Sequence, residues 1–198
     1  MTHRIAILGW GSLIWDKCPE FDEQHEAWQL GTGPEIKLEF SRISATSRAG
    51  ALTLVIDPTC GTPCRVAYAL SKRRTVDDAI CDLRCREGTT LRNIGFVFAD
   101  RSRSSGRDPA TTETVCKWMK VEGLDAVVWT DLETNFEDMR REPFSVDAAL
   151  RYIQQSLDAE GKATAAEYVW RAPPFVNTPL RAAPETAPWF PPAPNMSK

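Results

Sequence analysis

The chain has 198 residues, of which 42% are hydrophobic, and its formal net charge at pH 7 is −3. This length and apolar content can bury a substantial core, and one domain is the simplest expectation. The slight negative charge argues against nucleic acid as a partner, because phosphate binding calls for a broad basic surface. The apolar runs are too short for a membrane span. The apolar run after His3 and Arg4 is also shorter than the apolar region of a signal peptide. We therefore expect a cytoplasmic protein with no membrane association, and its oligomeric state stays open.

The first predicted element is a strand at residues 4–8, followed by the loop GWGSL at residues 9–13. Two glycines around one aromatic residue let the main chain approach a ligand closely with its N–H groups free, as in loops that hold a carboxylate or an oxyanion. A tight turn with no ligand would have the same composition, so both interpretations stay open. The dinucleotide-binding fingerprint Gly-x-Gly-x-x-Gly requires a third glycine at position 14. Because position 14 is isoleucine, the fingerprint is absent.

Further strands are predicted from runs of β-branched and aromatic residues, and helices from apolar residues at helical spacing. In the second strand apolar and charged residues nearly alternate, which places Glu39 on a solvated face. Proline and glycine after residue 57 indicate a connection and a return strand, hence antiparallel pairing. Gly161 is the predicted stop between the last two helices. The fold class is α+β, with strands at 4–8, 36–44, 52–57, 65–70, 94–98 and 126–129 and helices at 75–87, 110–120, 145–159 and 162–171.

The carboxy-terminal part is rich in proline, with eight of the fourteen prolines at or after position 173. This composition predicts an extended or disordered tail, with Trp189 and Phe190 as a tether onto the body. We accordingly divide the chain into one domain at residues 1–172 and a tail at residues 173–198. Partner binding through the two tail aromatics is one alternative function.

The scarcity of histidine excludes several chemistries. His3 and His25 are the only two, and no Gly-x-Ser-x-Gly elbow is present to support a serine or cysteine triad. The cysteine pairs at 60/64 and 81/85 have three intervening residues, whereas structural zinc pairs more often have two, so we expect no metal site.

A carboxylate is the stronger catalytic candidate. In the helix predicted at residues 75–87, the apolar stripe through Ile80 and Leu83 reaches Glu87 four residues later, within about 20° of Ile80 around the axis. A carboxylate against apolar surface loses hydration, which raises its pKa toward the range where it both accepts and returns a proton near neutral pH. Glu87 is therefore the predicted general acid/base. In the alternative interpretation, Gly88 ends the helix and Glu87 turns to water or to a nearby arginine.

Four segments, in this order, resemble the γ-glutamylcyclotransferase-like superfamily, particularly its ChaC-type and BtrG-like bacterial members. The sequence GWGSLIW at residues 9–15 looks like the glycine-aromatic-glycine-serine-leucine loop after the family's first strand. EFSRI at 39–43 looks like its second strand with an arginine, and VAYAL at 66–70 like the strand before the catalytic helix. LRCRE at 83–87 resembles the helix end that carries the catalytic glutamate. The resemblance covers roughly residues 4–130.

The resemblance implies a small, mainly antiparallel β-barrel with flanking helices, and an enzyme that needs no cofactor and no metal. Family members cleave a γ-glutamyl amine, a γ-glutamyl peptide or glutathione by attack of the α-amine on the γ-carbonyl, which releases 5-oxoproline. Glu87 would carry the proton, and the loop N–H groups would hold the α-carboxylate of this small-molecule substrate. A non-catalytic binding module on the same barrel is the other alternative. The implied substrate-binding residues are Gly9, Trp10, Gly11, Ser12, Leu13, Arg42 and Trp129. The two tryptophans stand where the family usually has tyrosine, so the identity of the leaving amine or peptide stays open.

Overall fold

The computed structural model describes residues 3–44, 48–183 and 187–192. The chain divides into two compact units, one of Met1–Ile36 with Arg65–Leu132 and the other of Lys37–Cys64 with Glu133–Lys198. The strands are β1 (Ile5–Gly9), β2 (Glu35–Ile43), β3 (Leu52–Ile56), β4 (Thr62–Arg65), β5 (Ala67–Leu70), β6 (Ile94–Phe98), β7 (Ser104–Ser105) and β8 (Ala126–Thr130). The helices are α1 (Pro19–Asp22), α2 (Val76–Arg86), α3 (Pro109–Glu122), α4 (Phe136–Arg140), α5 (Val146–Ser156), α6 (Ala159–Arg171) and α7 (Pro179–Ala182), with a 3₁₀ turn at Leu91–Asn93.

The first unit is built on a five-stranded sheet in the order β5-β1-β8-β6-β7. Strand β1 pairs antiparallel with β5 and parallel with β8, and all five of its residues are buried, as expected for a central strand with both faces covered. Helix α2 begins at the N-cap Thr75, whose side chain accepts a hydrogen bond from the Asp78 N–H, and packs against β8 and β6. Its apolar stripe joins the strand side chains and the loop after β1 in one core, made of Ile5, Ile7, Leu13, Phe21, Val76, Ala79, Ile80, Leu83, Ile94, Ala126 and Val128.

The second unit contains most of a three-stranded sheet in the order β3-β2-β4, together with helices α4 to α7. Edge-to-face aromatic pairs form part of its core, since the ring of Phe40 meets Tyr168 and that of Phe136 meets both Phe144 and Tyr152. Helix α6 packs on β3, and α5 packs on both α6 and α7. The amphipathic pattern of α5 is thereby explained, because its buried stripe faces these neighbours.

The α+β class is confirmed, but the described strands form two sheets and do not close into a barrel. The single return strand predicted at residues 65–70 is two strands in the structure, β4 and β5, which are separated by Val66. The main chain of Val66 bonds instead to the segment before β2, donating to the Pro34 carbonyl and accepting from the Gly33 N–H. Strand β3 pairs with β2, and β5 pairs with β1, so neither β4 nor β5 pairs back onto β3.

Gly161 does not end a helix, and this prediction is wrong. It lies inside α6, where its N–H donates to the side chain of the N-cap residue Asp158 at 2.8 Å. A Cβ atom at this position would stand 2.7 Å from the carbonyl oxygen of Ala49, so glycine is required here for close packing. The break between α5 and α6 is made by the extended residues Leu157 and Asp158 instead.

Residues 173–183 of the predicted tail are ordered and packed, and they include the short helix α7. Val176 and Leu180 are fully buried, and the apolar residues between the prolines supply this packing. The predicted tether is confirmed for Phe190, which is buried against the ring of Trp170, while the Trp170 Nε1 donates to the Pro191 carbonyl at 3.0 Å. Residues 184–186 and 193–198 of the predicted tail lie outside the described residues.

Within the part of the chain that the structure describes, no helix combines the length and the apolar character needed to cross a membrane.

Candidate functional site

The loop after β1 forms a compact turn with free main-chain donors. The N–H of Ile14 donates to the Gly11 carbonyl at 3.0 Å, and that of Asp16 donates to the Ser12 carbonyl at 2.8 Å. Among the described residues, no acceptor takes the N–H groups of Gly11, Ser12 and Leu13. Three consecutive donors without a partner are the arrangement that holds a carboxylate or an oxyanion.

Close packing fixes the two ends of this turn. The Cβ of any other residue at Gly9 would stand 2.7 Å from the ring of Trp28, so glycine lets the indole lie directly on the main chain. Trp10 and Leu13 are both buried, and Leu13 belongs to the core of the first unit. Trp10 therefore anchors the loop, and its predicted part in substrate binding stays a prediction.

The end of α2 fixes the main chain of Glu87. Gly88 takes the left-handed conformation with φ of 56°, and its N–H donates to the Cys85 carbonyl at 3.1 Å. The N–H of Thr89 donates to the Arg84 carbonyl at 3.2 Å, which completes a Schellman motif. Glu87 is the C-cap residue and its side chain is half-buried, intermediate between the inward and the solvated alternatives.

Arg86 ties this helix end to the loop. One of its Nη atoms donates to the Ser12 carbonyl at 3.3 Å and to the Asp16 carbonyl at 2.9 Å. Its Nε is buried and has no hydrogen-bond partner in the described part of the chain. A half-buried guanidinium with an unpartnered Nε, next to main-chain N–H groups without an acceptor, favours binding of an anion.

Sequence reasoning missed Arg86 because its helical position points away from the stripe that leads to Glu87. The long side chain nevertheless turns its guanidinium group to the loop while the stem stays along the helix. The pairing of an arginine with the following glutamate was visible in the sequence, but nothing local showed which carbonyls the arginine would bind.

Trp129, on β8, is fully buried, with 0% of its surface exposed. A Cβ atom at Gly95, its antiparallel partner on β6, would stand 2.1 Å from the indole, so the ring lies across the glycine. The indole Nε1 makes no hydrogen bond with the described residues. Burial raises the pKa of the nearby Asp131 carboxyl, and the closeness of the Trp129 indole lowers that pKa by a smaller amount.

A chain of hydrogen bonds links the end of α2 to the end of β8. Asn93 donates from Nδ2 to the hydroxyl of Thr89 at 2.8 Å, and Arg107 donates to the Asn93 Oδ1 at 2.7 Å. The N–H of Arg107 donates to the Asp131 carboxylate, also at 2.7 Å. The first unit therefore brings together the loop, the helix end with Glu87 and the strand end after Trp129.

Replacing Gly95 with alanine tests this packing. The added methyl group would overlap the Trp129 indole, and overpacking of this kind typically destabilises a protein by about 1–3 kcal/mol. We expect urea unfolding to show a loss of about 2 kcal/mol. Gly88→Ala is a suitable comparison for steric overlap, because a Cβ at Gly88 meets nothing within 4 Å and only its positive φ opposes the change. Equal stability of Gly95→Ala and the unmodified protein would contradict the described ring position.

Arg42 belongs to the second unit, whereas the other predicted site residues belong to the first. It is half-buried on β2, and its Nη1 donates to the Glu133 carbonyl at 2.7 Å. This contact joins β2 to the segment before α4, which is a structural role within the unit. Its predicted part in substrate binding stays a prediction.

Glu39 is a second unusual carboxyl group, and the prediction that it faces solvent is wrong. It is 0% exposed, its Oε1 accepts from the Phe40 N–H at 2.8 Å, and its Oε2 has no hydrogen-bond partner among the described residues. Burial raises the pKa of Glu39 from 4.5 to about 7, against the opposing effects of the Phe40 N–H, the Thr178 hydroxyl and the Leu180 N–H; the nearby Asp57 adds to the rise. The register of β2 against β3 is regular up to Glu39 and shifts only after it. Glu39 is buried because Thr178 and Leu180, from a later segment of the second unit, lie beside its carboxyl.

The described residues contain no group of three or more histidine, cysteine, aspartate or glutamate side chains placed to hold a metal ion. Comparison of the chain with protein-family models, with curated proteins and with solved structures finds no match. The site must therefore be interpreted from its own geometry.

Proposed function

We propose that this protein is a γ-glutamylcyclotransferase-like enzyme that converts a γ-glutamyl amide into 5-oxoproline and a free amine or peptide. The observation that carries the proposal is the Arg86 bridge. It ties the helix end that ends in Glu87 to a loop with three free N–H groups. A proton carrier and an anion-binding loop are the two parts that this reaction needs.

In the proposed reaction, the loop N–H groups and the Arg86 guanidinium hold the α-carboxylate of the glutamyl group. The neutral α-amine attacks the γ-carbonyl carbon, and the new C–N bond closes a five-membered ring. Glu87 takes the proton that the attacking nitrogen loses and gives it to the leaving nitrogen as the old amide bond breaks. Since nucleophile and electrophile belong to one molecule, most of the rate enhancement comes from folding the substrate into the reactive geometry.

This reaction does not depend on the closed β-barrel that the family resemblance implies. The loop, Arg86 and Glu87 all belong to the first unit, whose five-stranded sheet and α2 position them. We further propose that the protein encloses the bound substrate as a barrel would, and that this enclosure excludes water from the reacting groups.

The Arg86→Met variant tests the binding role of the guanidinium. Loss of a charge-assisted contact to a carboxylate corresponds to about 1.5–3 kcal/mol, so we expect KM to rise about tenfold or more, with a smaller change in kcat. Arg84→Met is the matched control, because the Arg84 guanidinium contacts the Cys85 Sγ on the outer side of the helix end. An unchanged KM in Arg86→Met, measured by release of amine, would contradict a carboxylate site at this loop.

The enzyme and the non-catalytic binding module differ in one observable. Both shift the melting temperature when a γ-glutamyl compound is added, but only the enzyme yields 5-oxoproline. The experiment incubates the protein with γ-glutamyl amines, γ-glutamyl peptides and glutathione, and records melting temperature and product mass on the same samples. A thermal shift without 5-oxoproline would favour the binding module.

Partner binding through the tail is less well supported, since Phe190 is buried within the second unit.

A further inference from the structure

Residues 173–182, which we call the strap, cover the Glu39 carboxyl in the second unit. Val176, Thr178 and Leu180 of the strap are all buried. The Thr178 hydroxyl and the Leu180 N–H lie beside the Glu39 carboxyl, close enough to favour its charged form. Glu39 therefore has no exposed surface largely because a short segment lies over it.

Polar contacts also hold the strap. The buried Cys64 thiol on β4 donates to the Asn177 Oδ1 at 3.2 Å. Arg181 donates to the carbonyls of Pro173 and Val176, which closes the strap on itself. Helix α7 within the strap has four residues, and a helix of that length has little stability of its own. The strap therefore depends on its contacts with β2, β4 and α5.

The charged groups around Glu39 do not neutralise it. Asp57, after β3, adds a like charge. In the following turn, burial raises the pKa of the Cys60 thiol, and the charges of Asp57 and Glu39 raise it further. From α7, the guanidinium of Arg181 binds main-chain carbonyls of the strap. From β2 itself, the Arg42 guanidinium donates to the Glu133 carbonyl. The Glu39 Oε2 has no hydrogen-bond partner among the described residues, so a proton is the partner that the site can acquire.

We propose that the strap is a proton-controlled cover, closed when Glu39 is neutral and opened when Glu39 ionises. Water reaches the carboxyl in the open form and restores its hydration, so the open form has the lower pKa and ionisation shifts the equilibrium toward it. Thr178 suits both states, because its hydroxyl accepts from a neutral carboxyl and donates to a charged one. Opening would expose an acidic surface made of Glu39 and Asp57.

Hydrogen exchange of the strap amides tests the proposal. Between pH 5 and pH 7 each pH unit changes the opening equilibrium by up to tenfold, so the protection factors at residues 176–182 should fall by up to about a hundredfold after correction for intrinsic exchange. Glu39→Gln should remove this pH dependence, whereas the control Glu160→Gln, at an exposed position of α6, should keep it. Protection that is independent of pH in the unmodified protein, or equally dependent in Glu39→Gln, would overturn the proposal.

A second variant keeps the test decisive if Glu39→Gln does not fold. Thr178→Val leaves the carboxyl in place and removes the hydroxyl that favours its charged form. The midpoint of the pH-dependent exchange should therefore move to higher pH. A midpoint that stays unchanged in Thr178→Val would show that Glu39 does not control the strap.

Discussion

Replacing Glu87 with glutamine should lower kcat for γ-glutamyl substrates by about 10²–10⁴-fold, the range expected when a general acid/base is removed. The amide fills the same space but can neither take the proton from the α-amine nor return it to the leaving nitrogen. The helix end should keep its shape, because the Schellman motif is made by main-chain groups of Gly88 and Thr89. Initial rates of amine release measure the effect, and binding should stay within about threefold of the unmodified protein.

Glu26→Gln is the matched control for this variant. Glu26 is an exposed glutamate of the same unit, and its N–H donates to the Leu70 carbonyl, which the substitution leaves in place. We expect Glu26→Gln to have the rate of the unmodified protein. If Glu87→Gln also retained that rate, Glu87 would not be the proton carrier, and the mechanism proposed above would be wrong.

Replacing Glu39 with glutamine should remove a loss of stability that the unmodified protein shows as the pH rises. The folded pKa, about 7, is above the unfolded value of 4.5, so the folded state binds the proton more tightly than the unfolded chain. Ionisation of Glu39 therefore lowers the free energy of unfolding as the pH rises from 4.5 to about 7. At 1.36 kcal/mol for each pKa unit, the full effect is about 3 kcal/mol at pH 8 and less than about 1 kcal/mol at pH 5.

Urea unfolding at pH 5 and pH 8 measures this difference. The unmodified protein should lose about 2–3 kcal/mol between these pH values relative to Glu39→Gln, and Glu160→Gln should behave like the unmodified protein. Parallel curves for all three proteins would mean that Glu39 is already solvated or paired in the folded state.

The elements that the sequence predicted well are those whose pattern is set by local burial. The stripe through Ile80 and Leu83 defined α2, and Thr75 caps it as its chemistry predicts. The apolar run before Gly9 gave β1, a central strand with both faces covered. The loop after β1 was identified from its glycines, and the structure adds that its N–H groups are free among the described residues.

The features that the sequence did not reveal depend on contacts between distant segments. Thr178 and Leu180 lie beside Glu39, and no local pattern in β2 shows that a segment so much later in the chain would cover it. Close approach to the Ala49 carbonyl explains why Gly161 lies inside a helix. The prolines after residue 173 suggested an extended chain, but Val176 and Leu180 between them pack into the second unit. The target of the Arg86 guanidinium depended on the position of the loop, 70 to 74 residues earlier in the chain.

Product analysis in water enriched with oxygen-18 tests the central claim most directly, because cyclisation and hydrolysis give different products from the same γ-glutamyl amide. The account predicts 5-oxoproline with no heavy oxygen, together with one equivalent of amine, and neither product in comparable amount from Glu87→Gln. Release of amine with labelled glutamate, or no release from any γ-glutamyl compound tested, would contradict it.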